Sequence, residues 1–171
     1  NYVQAILTAT QSHLASHFIP SHRPQLQFTT RYSQYVWARD VKVVAPPKAE
    51  GLIQVDTGTE EVKLRWKNFV YEREIESGKE IIVHLVQTPP TDMIDYKWAD
   101  EPDPIQGVSV SLNTKGLAVI NAIACRPYHF EEPQQVVQSE LEIELVENTV
   151  KVHVPPFRYH TMLVFRVAPK E

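Results

Sequence analysis

With 171 residues, 43% of them hydrophobic, the chain is long enough to bury one sizeable core and too short for two full domains. Thirteen prolines against five glycines, with seven Tyr, six Phe and three Trp, suit short strands joined by proline-punctuated loops and argue against a bundle of long helices. Seventeen basic and twenty-one acidic residues are interspersed to a net charge of −4, so the chain lacks the basic footprint of a nucleic-acid or membrane partner, and neither is expected.

In chain order, Val3, Ile6, Leu7, Leu14 and Phe18 fall on one helical face, which predicts an amphipathic helix over 1–18 that stops before Pro20. Residues 26–30 suggest a short strand, and 31–44 (RYSQYVWARDVKVV) are rich in β-formers closed by Pro46-Pro47. The domain division is placed there: 1–47 as N-terminal helix and linker, 48–171 as the main domain. Beyond Pro47 short β-like segments follow one another. Residues 52–56 alternate apolar and polar, and in 62–66 Val62, Leu64 and Trp66 share one face while Lys63 and Arg65 share the other.

Ser77-Gly78 marks a turn before 80–87 (EIIVHLVQ), apolar nearly throughout and so expected to be covered on both faces. Strands are further predicted at 107–112, 117–124, 141–146, 150–154 and 161–167. Asn148 signals a hairpin in which Leu141, Ile143 and Leu145 face in and Glu140, Glu142 and Glu144 face out. The sum is an all-β fold: an antiparallel β-sandwich of about eight strands with one N-terminal helix and linker.

The chemistry-bearing residues are sparse. The five glycines form no phosphate loop, no G-x-S-x-G elbow is present, and Cys125 lies in an apolar strand where a buried, inert thiol is the default. A lone cysteine leaves the compartment undecided. His13 and His17 stand four apart on the predicted helix without a third ligand, and they read as a solvated face. His84 reads as a core histidine satisfied by a backbone carbonyl. His153 and His160 flank Pro155-Pro156 and read as surface positions. No catalytic residue, metal or cofactor is assigned.

The acidic loop 92–103 (DMIDYKWADEPD) is the one carbohydrate-binding candidate. Tyr96 and Trp98, with Asp95 beside them, present a sugar-stacking platform, against the plainer alternatives of an oxygen-ligand calcium site or a solvated loop whose Trp98 packs on the sandwich.

Residues 80–92 (EIIVHLVQTPPTD), 107–112 (GVSVSL), 118–127 (AVINAIACRP) and 150–167 (VKVHVPPFRYHTMLVFRV) together resemble the C-terminal β-sandwich that follows the barrel of dextranase-like and related glycoside hydrolases. The matching positions are His84-Leu85-Val86, Pro89-Pro90, Val108 to Leu112, Ala124 to Pro127 and Val154 to Phe165, with Gln87 departing where such strands often carry Asn. The resemblance spans about residues 30–168. In that family the catalytic carboxylates lie on the barrel, so the resemblance transfers no catalytic residue. It implies a non-catalytic accessory domain whose partner is the catalytic domain of the same polypeptide, with an oligo- or polysaccharide as a further partner. The start at Asn1 is what a piece of a longer chain would show, and residues 1–18 resemble a last barrel helix. The rival expectations are a carbohydrate-binding module using the Trp98 loop and a small stand-alone hydrolase.

Overall fold

The computed structural model describes residues 15–87, 103–129, 132–133 and 135–170, with 15–22 as backbone only. The elements are helices α1 (Ala15–Arg31), α2 (Ser33–Val36) and α3 (Pro46–Leu52), with eleven strands. The strands are β1 (Lys42–Val43), β2 (Ile53–Asp56), β3 (Leu64–Arg65), β4 (Val70–Ile75), β5 (Gly78–Gln87), β6 (Ser109–Asn113), β7 (Leu117–Arg126), β8 (Val137–Glu140), β9 (Glu144–Val146), β10 (Thr149–His153) and β11 (His160–Pro169). They form two antiparallel sheets: a seven-stranded one in the order β1-β4-β5-β11-β7-β8, with β3 also on β5, and a four-stranded one in the order β2-β6-β10-β9.

The sandwich expected from the alternating strands is present. Between the sheets, Val83 and Leu85 of β5 and Leu163 and Phe165 of β11 pack against Val110 and Leu112 of β6 and Val150 and Val152 of β10. The nearly unbroken apolar run of β5 has its predicted cause. Ile81, Val83 and Leu85 fill the inter-sheet core, while Ile82 points the other way, into a second cluster beneath the helices. Phe28, Tyr32 and Tyr35 cover Ile82, Cys125, Met162 and Val164 there, so the architecture has three layers: helices, seven-stranded sheet, four-stranded sheet.

The helix does not end before Pro20: α1 runs through Pro20 and Pro24 to Arg31, and 26–30 are helical rather than a strand. Each proline forfeits one backbone bond, but Phe28, Tyr32 and Tyr35, spaced by four and three, give the segment a helical apolar face that the sheet buries. The earlier part of the predicted helix, 1–14, lies outside the described residues. Pro46-Pro47 begin a helix rather than merely closing a strand, in the first-turn positions where a missing N–H costs nothing.

Leu145 does not face in. Although its register partner Val150 is in the core, β9 is the outer strand of its sheet and Leu145 is 69% exposed. Leu141 is buried and Ile143 packs against the core, as the segment crosses from one sheet to the other, and Glu140, Glu142 and Glu144 are exposed as expected.

The β4–β5 hairpin turns so that Ile75 pairs with Gly78. Gly78 has φ of +142°, and a Cβ there would meet the carbonyl oxygen of Val167 at 2.1 Å, so only glycine lets β5 start against β11. From this layering, Leu85→Ala is expected to cost about 2–5 kcal/mol, whereas Leu145→Ala stays within about 0.5 kcal/mol. Urea denaturation of the two variants checks the contrast, and near-equal losses would contradict the assignment of β5 to the centre.

Candidate functional site

Two clusters of titratable side chains lie on the helix-covered face of the seven-stranded sheet. In the register of β5 and β11, His84 stands opposite Met162 and His160 opposite Val86, which makes the two histidines diagonal neighbours on one face. Their rings are 9° from parallel and meet edge to edge, 5.1 Å between centroids, with His84 Nδ1 and His160 Nε2 2.9 Å apart. A bond of that length joins one donating and one accepting nitrogen, so at least one of the two facing nitrogens carries no proton.

Aromatic rings close both ends. Tyr71 meets His84 edge-on at 5.6 Å, and Phe28 of α1 meets His160 edge-on at 5.0 Å. Burial pushes the His84 imidazole down to about 4. Burial, and then the neighbouring His84, push His160 down to about 3. Both are therefore uncharged at neutral pH.

The second cluster lies further along the same strands. Arg73, Glu80 and Arg166 are direct cross-strand partners on β4, β5 and β11. Glu80 is fully buried, and Arg73 Nη2 and Arg166 Nη2 reach its carboxylate at 2.8 and 3.0 Å. Arg73 also donates to the Gln34 carbonyl at 2.9 Å and lies over the Tyr35 ring, 5.3 Å from its centre. This binds α2 to the sheet. The Cys125 thiol lies on the same face, opposite Met162 of β11, and burial raises it to about 11, away from the thiolate that a nucleophile needs.

Among the described residues, the carboxylates displaced from their ordinary range are displaced downward. Hydrogen bonds from Arg126 (Nη1 to Oε2, 2.8 Å) hold Glu132 down to about 2, and although burial alone would raise Glu72, Lys79 and Lys48 hold it low. A general acid of a glycosidase needs the opposite shift.

The remaining predicted positions are dispersed. Asp95, Tyr96, Trp98 and His13 lie outside the described residues, and His17 falls where only backbone is described. His153 is exposed and pairs with Glu144 at 3.3 Å. His84 is a structural histidine, as read, but its partner is His160 rather than a backbone carbonyl. His160 is not a surface loop residue: it opens β11 and is partly buried against Phe28. A β-strand pattern running backwards from Met162 to His160 was the available signal. The pairing itself depends on register between strands 76 residues apart.

No protein-family model matches the chain, and neither does any curated protein sequence. Among solved structures it is similar to an α-L-fucosidase, isoenzyme 2 from Paenibacillus thiaminolyticus, at 18% identity and a TM-score of 0.43. That likeness covers 70% of this chain and only 16% of the fucosidase chain.

Proposed function

We propose that this chain is a non-catalytic accessory β-sandwich of a polysaccharide-degrading glycoside hydrolase, packing against the catalytic barrel that carries the reacting carboxylates. One observation carries the reading: the two clusters of titratable groups described above are consumed in fastening helices to a sheet. The histidine pair is neutral and capped by aromatic rings, and Glu80 is neutralised by two arginines. The sequence resemblance supports it too, since its four segments fall on β5, β6, β7 and β10–β11 of the two packed sheets. On this reading the segment before β1 leads out of the barrel, the sandwich runs from β1 onward, and α1, seated on the seven-stranded sheet, is the joint between them.

The test is hydrolysis by the purified chain. Incubated with dextran, soluble starch, laminarin and carboxymethylcellulose, it is expected to release no reducing ends above the blank. Release that rises in proportion to chain concentration and co-elutes with the protein would overturn the accessory reading in favour of a stand-alone hydrolase.

A further inference from the structure

The outward face of the four-stranded sheet carries a groove of about 480 Å³ that neither cluster touches. Its floor is set by register: Gln54 of β2 stands opposite Ser111 of β6, which stands opposite Lys151 of β10. On either side of them in sequence, Ile53, Val110, Leu112, Val150 and Val152 point into the core, so the pleat forces the three polar side chains outward in a row. Asp56 extends the floor and the partly buried indole of Trp66 supplies a wall. At the rim Glu50 pairs with Lys67 at 3.1 Å.

Two features define what would fit. Two carboxylates and two ammonium groups leave the groove without net charge, which favours neither an anionic nor a cationic ligand. The polar floor is also unspent. Glu144, the register partner of Lys151, turns instead to His153 at 3.3 Å, and among the described residues the side chains of Gln54, Ser111 and Lys151 have no hydrogen-bond or ion-pair partner. Neighbouring strands are about 4.8 Å apart, so the row from Gln54 to Lys151 spans about 10 Å, the length of two linked pyranose rings. The volume is that of a small-molecule site, and an indole beside convergent polar groups suits a ligand with apolar ring faces and hydroxyl edges.

We propose that this groove binds a neutral oligosaccharide laid across β2, β6 and β10, with a pyranose face on Trp66 and hydroxyls bonded to Gln54, Ser111 and Lys151. The choice of saccharides among neutral polyols rests on the accessory reading above.

Affinity gel electrophoresis of the chain in dextran, soluble starch, laminarin and arabinoxylan tests it. Retardation is expected in at least one gel, at least ten-fold weaker in affinity for the double variant Gln54→Ala/Lys151→Ala and unchanged in Trp98→Ala. Amide shift perturbations of the unaltered chain by an oligosaccharide of the retarding polymer are expected on β2, β6 and β10, which keeps the test independent of how a variant folds. No retardation in any gel, retardation undiminished in the double variant, or perturbations confined to other strands would overturn the proposal. Absence of binding leaves the accessory reading standing, whereas hydrolysis overturns that reading and not the groove.

Discussion

Taking the chain from pH 7 to pH 4.5 is expected to lower its folding stability by about 3 kcal/mol or more, through the His84–His160 pair alone. The sign follows from proton uptake. In the unfolded chain each imidazole titrates near 6.5, while in the fold burial holds His84 at about 4 and His160 at about 3. Between these values the unfolded state binds more protons, so stability is fully present above about pH 6.5 and declines as pH falls through 5. The window isolates the histidines, because the carboxylates held low, Glu72 and Glu132, contribute stability that is lost only below their ordinary range of about 4.5. Urea denaturation at pH 7, 5.5 and 4.5 measures the slope, and it should flatten in His84→Phe/His160→Leu. A slope unchanged by the double substitution would place the pH dependence elsewhere.

Glu80→Ala should cost about 3–5 kcal/mol. Substitution leaves Arg73, with only the exposed Asp40 carboxylate 4.0 Å away, and the partly exposed Arg166 facing one another across a vacated position of β5. The loss falls mainly on Arg73, the more buried of the two cations, which keeps only the long contact to Asp40. Replacing the whole row, as Arg73→Met/Glu80→Leu/Arg166→Met, should cost much less than Glu80→Ala, since apolar groups of similar volume need no partner. Chemical denaturation of both variants decides it: a loss below about 1 kcal/mol in Glu80→Ala, or a larger loss in the triple variant, would contradict a buried ion cluster.

How far the sequence shows this fold depends on the range of the interactions. The apolar run of β5 announced coverage on both faces, and the Val108, Val110, Leu112 alternation placed β6, because strand periodicity is local. The helix through Pro20 and Pro24 was masked by a local rule about proline that a buried face overrides. Its signal, the Phe28, Tyr32, Tyr35 spacing, lay beyond the point where the helix was expected to stop.

The candidate sites were less legible for a different reason. His160 was expected at the surface beside Pro155-Pro156, while Glu80, Gln54, Ser111 and Lys151 fall in predicted strand segments with nothing local to single them out. Each acquires its neighbours only through strand register, which joins residues dozens of positions apart.

The His84–His160 pair and the Arg73–Glu80–Arg166 row lie where the helical layer meets the seven-stranded sheet and are expected to hold the two together. Native-state amide hydrogen exchange tests that most directly. At pH 7 the backbone-bonded amides of Tyr32 and Val36 should be protected together with those of β5 and β11, and at pH 4.5 the helical amides should lose protection first, because opening the layer then lets the histidine pair take up protons. Unprotected helical amides at pH 7, or helical protection that outlasts the sheet's at pH 4.5, would contradict it.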